Sequence, residues 1–525
     1  MAKGKSLQLV FRQDFTGQVM LLPPSLDELV AVDHPVRTVA AVLDEVDMKP
    51  LLRRYKVGGT SSYHPRMLLK AVVFAYMNNI YSSRRIEQAL KENVHYMWLC
   101  GMSQPDHNTI ARFRGQRLQK TLEPIFTQVV LLLCNAGVLS VKDVYTDGTK
   151  IEANANRYTF VWGNSIKTSK EKIHQQIKAL WDYAKSIAKA ELDDDTDPTG
   201  YKKIDAEKVK QTIRSINEAI EAAEAEVPKP IKQKLSYAAK HWPAALDRYQ
   251  AQQQIMGSNR NSYSKTDTDS TFMRMKEDHM KNGQLKPAYN LQISTSNQYI
   301  VNYSLHQKTT DTSTLIEHTA KHIAQYNQAP QSITADAGYG SEENYQYLKD
   351  NGITAYVKHN QFDRSQHKAT KAKHPFTADK LYYNQSGDYY VCPMGQHMLS
   401  IGTYTKVTAT GYQQQVKKYK ARNCEGCPLR SVCHQSKGNR VIEVNANLNR
   451  LKASADELLK SETGIEKRKK RCYDVEPVFA NIKHNHGFKR YLMRGLSKVT
   501  VETGLLVLAH NLRKKTKGPT AKKAA

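Results

Sequence analysis

The sequence predicts an α/β protein: an all-helical N-terminal domain, then a body of alternating strands and helices, interrupted by a helical insertion and a small cysteine-bearing one. Three observations lead there. Apolar residues recur at helical spacing from Pro65. The period changes to two at Val141–Asp147. Short strand-like runs then alternate with helical segments as far as the late helix that carries Glu476. At 525 residues the chain exceeds what one hydrophobic core usually organises, so several domains or large insertions are expected.

In order along the chain, Met67, Leu68, Ala71, Val72, Ala75 and Tyr76 share one helical face, and Ile86, Ala89 and Leu90 begin another after Ser82-Ser83. Asp106-His107-Asn108-Thr109 supplies capping residues for a third, short helix that buries Ile110 and Phe113 and turns Arg112, Arg114 and Arg117 outward. A helix-turn-helix cluster offering those arginines to DNA fits this pattern, and so does a plain bundle with a solvated basic face. The strand at Val141–Asp147 either continues through Thr149–Ala155 or pairs back. Residues 166–226 return to helix as two apolar stripes, one through Ile173, Ile177, Leu180 and Trp181 and one through Val209, Ile213, Ile216 and Ile220, separated by DDDTDPTG. Strands follow at Ala288–Ser294 and Tyr299–Leu305 with Ser296-Asn297 turning between them. A helix from Ser313 to Tyr326, a buried strand ending at Asp336, a helix capped by Ser341 and a strand at Ile353–Val357 complete the pattern before the cysteine-bearing segment.

The chain is strongly basic. Lys and Arg number 78 against 50 Asp and Glu, a formal charge of +28, the electrostatic footprint of a phosphate-backbone binder. Seven cysteines are too few for a disulfide scaffold, which points to a reducing compartment. The start MAKGKSLQLVFRQDF has no apolar signal core, and the apolar run near Val129–Cys134 is too short to span a bilayer, so the expectation is a cytoplasmic, nucleoid-associated protein with no membrane partner. Lys514, Lys515, Lys517, Lys522 and Lys523 make a basic tail suited to DNA.

Three acids stand at telling places: Asp147 on the first strand, Asp336 at the end of a later one and Glu476 on a late helix. Without the helical insertion the elements run strand, strand, strand, helix, strand, helix, strand, helix, the order of an RNase H-like fold. Carboxylates drawn from separate elements suit a hard cation such as Mg²⁺ or Mn²⁺, and two such ions about 3.5–4 Å apart serve both the attacking and the leaving oxygen of a phosphodiester. Asp267, Asp269 and Asp311 are rival acids; Asp311 reads as a helix cap before Thr312, and Asp269 is the first substitute should one of the three fail.

The segments VYTDGTKIEANANRYTFVW, ITADAGYGSEENYQYL and VEPVFANIKHNHGFKRYLMRGLSKV with LLVLAHNLRK resemble the catalytic blocks of the IS1182 group of bacterial DDE transposases, within the IS4/IS5-like class. SSYHPRMLLKAVVFAYMNNIYSSRRIEQAL resembles the N-terminal domain common to such enzymes. The resemblance implies an Mg²⁺-dependent transposase with Asp147, Asp336 and Glu476 as the metal-binding triad. It also implies Lys483 as a DNA-phosphate contact, double-stranded transposon ends and target DNA as partners, and a homo-oligomer that holds two ends together. In one respect the chain departs from the class: Arg471 lies one residue further from the glutamate than the usual arginine, and no tyrosine fills the accompanying slot. A nuclease of the same fold would share the acids without needing end binding, and a catalytically dead regulator would lose one of them.

Cys424-x-x-Cys427, Cys433 and Cys392 supply four thiols, with His397 and His434 nearby, and fit either a structural Zn²⁺ site or buried free thiols. Trp162, at the mouth of the helical insertion, fits base stacking or, more simply, packing of the insertion onto the body. The expected division is a helical DNA-binding domain over 1–135, a catalytic domain over 136–165, 260–358 and 441–513, a helical insertion over 166–259, a cysteine-bearing insertion over 359–440 and a basic tail over 514–525.

Overall fold

The computed structural model describes residues 25–55, 62–188, 196–201, 203–223, 226–258, 260–275, 283–366 and 375–518. The initial MAKGKSLQLVFRQDF, Asp193–Asp195 of the acidic turn, and Lys522 and Lys523 of the tail lie outside the described residues.

Seven helices open the described chain: α1 (Pro35–Asp44), α2 (Lys49–Leu52), α3 (Pro65–Met77), α4 (Ser83–Glu92), α5 (Val94–Cys100), α6 (His107–Arg112) and α7 (Leu122–Asn135). Proline at the first position starts α1 and α3, where its missing N–H costs nothing, and His34 and His64 each accept from the amide two residues on. Asp106 caps α6 through Thr109 N at 2.8 Å, as its position in the sequence predicts. Helix α3 is buried almost all round rather than on one face, because the last helix of the chain lies against it.

The body begins with β1 (Asp143–Glu152), one unbroken strand, so Thr149 onward continues rather than pairs back. A small ladder of β2 (Phe160–Trp162) with β3 (Ser262–Ser264) forms the base of the helical arm. The arm holds α8 (Gly163–Ile187), α9 (Ala206–Ala223) and α10 (Lys229–Met256) around Ile177, Trp181, Ile216 and Trp242. It has three helices where the sequence predicts two: Pro230 sits harmlessly in the first turn of α10, and Pro243 is accommodated within it. Trp162 packs on Phe160 and Phe272 at the arm's base.

Next come β4 (Thr271–Arg274), β5 (Leu285–Ser296) and β6 (Tyr299–His306), then α11 (Leu315–Tyr326), β7 (Ser332–Ala335), α12 (Glu342–Asp350), β8 (Thr354–Val357) and α13 (Phe362–Gln366). Asn297 and Gln298 turn β5 into β6 with φ of 52° and 64°, the left-handed pair that a two-residue hairpin requires. The main sheet runs β8-β7-β1-β5, and the far edge of β5 is shared by β4 and β6. Strands β1, β5 and β6 are successively antiparallel, whereas β7 and β8 lie parallel to β1.

The cysteine-bearing region has its own sheet, β9 (Tyr383–Asn384), β10 (Tyr389–Val391), β11 (His397–Val407), β12 (Gln413–Lys420) and β13 (Val441–Val444), with α14 (Arg430–Cys433) before the last strand. Because β13 pairs with β12, this lobe extends past the expected boundary at 440. Four helices close the described chain: α15 (Ala446–Lys460), α16 (Glu462–Asp474), α17 (Glu476–Ala480) and α18 (Leu496–Thr516).

Helix α18 corrects the expected separation of the N-terminal domain. Its residues Val501–Leu512 are all buried, against α3 and α7 on one side and β6 on the other, and one continuous core joins helices and sheet. Each fully buried Val or Leu there contributes ~1.5–3 kcal/mol. The N-terminal helices are therefore packed into the α/β body rather than hung beside it.

Candidate active site

Parallel pairing sets Tyr145 opposite Thr334. Carried on two residues, that register puts Asp147 level with Asp336, which stands just past the end of β7 and accepts from Gly338 N at 2.9 Å. The third acid arrives on a different element. Helix α16 ends at Asp474, Val475 joins it to α17, and Glu476 occupies the first position of α17.

One guanidinium links two of the acids: Arg471 Nη1 lies 3.1 Å from Asp147 Oδ2 and Nη2 lies 3.0 Å from Glu476 Oε1. The extra residue between Arg471 and Glu476 is absorbed where α16 gives way to α17, so the departure from the class spacing does not remove Arg471 from the site. The two acids differ in exposure, 20% for the Asp147 side chain against 49% for Glu476. Burial raises the Asp147 carboxyl to about 6; Arg471 and the Gly148 N–H pull it down, while the charges of Asp336 and Asp311 push it up. Several carboxylates thus act on one another here, with the Arg471 guanidinium between two of them.

Asp311, a rival acid that the sequence reads as a helix cap, is placed differently. It does not cap with its side chain; its carbonyl accepts from Thr314 N, and its carboxylate turns to the sheet, where Asn290 Nδ2 (2.8 Å) and Gln292 Nε2 (2.9 Å) donate to Oδ1. It lines a cleft of about 310 Å³ with Gly148, Thr149, Glu476 and Lys483. Lys483 follows Glu476 by seven residues, about two helical turns, in a wider turn that continues α17, and both face this cleft.

The rivals Asp267 and Asp269 belong to the fold. Asp267 is buried and accepts from Tyr289 Oη (2.9 Å) and Gly495 N (3.2 Å), and Asp269 Oδ2 accepts from Leu496 N (2.8 Å) at the start of α18.

Of the three arginines expected to face outward, Arg112 does. Arg114 does not: it is 3% exposed, donates to Tyr81 O at 2.6 Å and lies over the Tyr76 ring. The helical period explains the correction, since Arg114 follows Ile110 by four residues and shares its buried face. Arg117 is half-buried, stacked on Tyr55 and bonded to Arg54 O.

Cys392, Cys424, Cys427 and Cys433 line one cavity of about 20 Å³, together with His434. Three of the four sulfurs meet donors of the lobe itself: Gln396 N donates to Cys392, Arg440 N to Cys424, and Arg440 Nη1 lies 2.9 Å from Cys433. His397 stacks on Tyr389. Among the described residues, no three His, Cys, Asp or Glu side chains are gathered at metal-ligand distance, in this lobe or in the cleft. The two places differ in their donors. The lobe offers soft thiol donors and the cleft hard carboxylate oxygens. Hard oxygen donors suit a divalent cation, and here Arg471 links two of them, Asp147 and Glu476.

Residues 24–116 match a transposase domain family, and residues 391–516 match the transposase DDE domain family. The two matches together indicate the organisation of an IS1182-type DDE transposase. Glu476, Lys483, Arg471 and the cysteines fall inside the DDE match, whereas Asp147, Asp311 and Asp336 lie between the two matched regions. No curated protein and no solved structure matches the chain. Among the described residues no helix of the chain is long and apolar enough to cross a membrane.

Proposed function

We propose that this transposase binds the ends of its insertion sequence and carries out divalent-cation-dependent cleavage and strand transfer, with Asp147, Asp336 and Glu476 as the carboxylates of an RNase H-like centre. The observation that carries the reading is the single guanidinium spanning Asp147 and Glu476 while the charge of Asp336 acts on Asp147. The sheet order, with the first three core strands antiparallel and the last two parallel to the first, supports the fold assignment.

Bound Mg²⁺ or Mn²⁺ supplies positive charge to the reacting phosphate and lowers the pKa of its water. The carboxylates hold that charge in place. Lys483 lines the cleft and Arg471 pairs with Glu476 at it, where a basic side chain engages DNA phosphate and orients the strand. In cleavage, water adds to phosphorus and the 3′-oxygen leaves with a proton. In strand transfer, that 3′-hydroxyl attacks a target phosphodiester and releases the target's own 3′-oxygen, so no covalent enzyme intermediate is needed. The net charge of +28 suits a protein that contacts many phosphates, and cutting two ends in concert calls for a homo-oligomer.

The test is Mg²⁺-dependent cutting and joining of a labelled element end by wild type and by Asp147→Ala, Asp336→Ala and Glu476→Ala at matched DNA binding. The reading expects wild type to join and each variant to bind without either step. An active variant removes that acid from the centre, and nicking without joining turns the reading to a nuclease.

A further inference from the structure

We propose that Asp311 is a fourth carboxylate of the catalytic cleft, a ligand for the divalent cation on the Gly148 side of Asp147. The inference rests on the reading of this cleft as the cation-dependent centre and extends it by one residue.

The first argument is what Asp311 does not do. Helix α11 starts at Leu315 with Thr314 at its cap position, and the turn before it is closed through the Asp311 carbonyl, which accepts from Thr314 N (3.0 Å) and Thr314 Oγ1 (2.7 Å). The carboxylate has no part in starting the helix.

The second is what holds it instead. Asn290 and Gln292, both fully buried on β5, place amide N–H groups on Oδ1, and Gln292 also donates to Asn290 Oδ1 at 2.9 Å. Behind them the buried Tyr339 hydroxyl donates to Gln292 Oε1. Burying polar groups in a sheet costs free energy unless every one is satisfied, and this chain of them ends by fixing one oxygen of Asp311. Supporting hydrogen bonds of this kind orient metal-ligating carboxylates. Among the described residues the bonds fall on Oδ1, and Oδ2 receives none.

The third is the glycine beside Asp147. A Cβ at position 148 would stand 2.7 Å from Asp311 Oδ1 and closer still to Gln292 Nε2. Glycine in the middle of a strand weakens it, and here it admits the Asp311 carboxylate over the strand next to the catalytic acid. Asp311 and Glu476 then line the same cleft, Glu476 tied to Arg471 and Asp311 not. The rise in the Asp147 carboxyl carries a contribution from Asp311, in keeping with their closeness.

The test uses the full-length protein freed of metal, with Mn²⁺ binding read from the electron paramagnetic resonance of free Mn²⁺. Asp311→Asn keeps shape and the Oδ1 acceptor while removing the charge. It is expected to weaken Mn²⁺ at least tenfold with the thermal midpoint of the metal-free protein unchanged, and Asp311→Glu is expected to recover part of the loss. Affinity within twofold of wild type in Asp311→Asn overturns the proposal. A loss of affinity in Asp311→Asn accompanied by a lowered midpoint, and not eased by Asp311→Glu, overturns it in favour of a structural role. Asp147→Asn and Glu476→Gln separate the two levels. If both lose Mn²⁺ and Asp311→Asn does not, the Asp311 assignment falls and the cleft stands. If wild type binds no Mn²⁺, or both variants bind like wild type, the reading of the cleft itself falls.

Discussion

Two groups of acids flank β5, and they are bonded in opposite ways. Asp267 and Asp269 are answered by the fold: a tyrosine hydroxyl and the backbone amides of Gly495 and Leu496 take up their oxygens and fix the start of α18. Asp147 and Glu476 are answered by one charged side chain, Arg471, at a cleft that Glu476 lines. Burial raises the carboxyls of both Asp267 and Asp147, but the donors that pull Asp267 back are uncharged groups of the scaffold, whereas Asp147 faces two further carboxylates. An acid whose hydrogen bonds all come from scaffold N–H and O–H groups reads as structural; an acid paired with a charged side chain among several acids at a cleft reads as functional.

The sharpest way to break this contrast is Asp147→Asn. It is expected to lower cation-dependent DNA cutting by about 10³-fold, the scale on which a centre loses charge stabilisation. The same variant is expected to stabilise the metal-free protein. The folded carboxyl at about 6 lies above the ordinary value of about 3.9, so its stabilising contribution is full at low pH and is lost as pH rises through 6. Thermal unfolding at pH 8 is therefore expected to show a gain of about 1–3 kcal/mol in the variant, shrinking towards pH 4. Equal stability at both pH values would set Asp147 among the structural acids.

Asp267→Ala is expected to do the reverse. It leaves Tyr289 Oη and Gly495 N buried without their acceptor, a loss of about 2–4 kcal/mol in denaturant unfolding, with Mn²⁺ affinity unchanged. A tenfold loss of Mn²⁺ binding in protein that still folds would erase the distinction. The smallest effect is expected for Asp269→Ala, which removes one amide partner at the start of α18 and costs about 1 kcal/mol, again without touching the cation.

Much of this was legible wherever the signal is local. The β5–β6 hairpin, the acid ending β7 and the Ser341 cap follow from alternation, turn chemistry and capping, and the structure has each in place. The spacing of Glu476 and Lys483 along the late helical segment also agrees with their lining one cleft. What was not legible is set by contacts distant in sequence. Arg114 turns inward because Tyr76 and Tyr81 wait for it, and α3 is enclosed because α18, more than four hundred residues later, packs on it. Arg471 reaches both acids only because a helix junction resets its direction. For Asp311 there was a local signal, the glycine of TDGTK in mid-strand, which marks a close approach without saying what approaches.

The central claim, that the Asp147 cleft is where the divalent cation sits, is tested most directly by iron-directed backbone cleavage. Fe²⁺ is added in place of Mg²⁺ with ascorbate and peroxide, and the cut sites are mapped with and without competing Mg²⁺. The account predicts Mg²⁺-suppressible cuts around Asp147–Gly148, Asp311, Asp336 and Glu476, absent in Asp147→Asn. Cuts that avoid these positions, or that persist unchanged in Asp147→Asn, would contradict it.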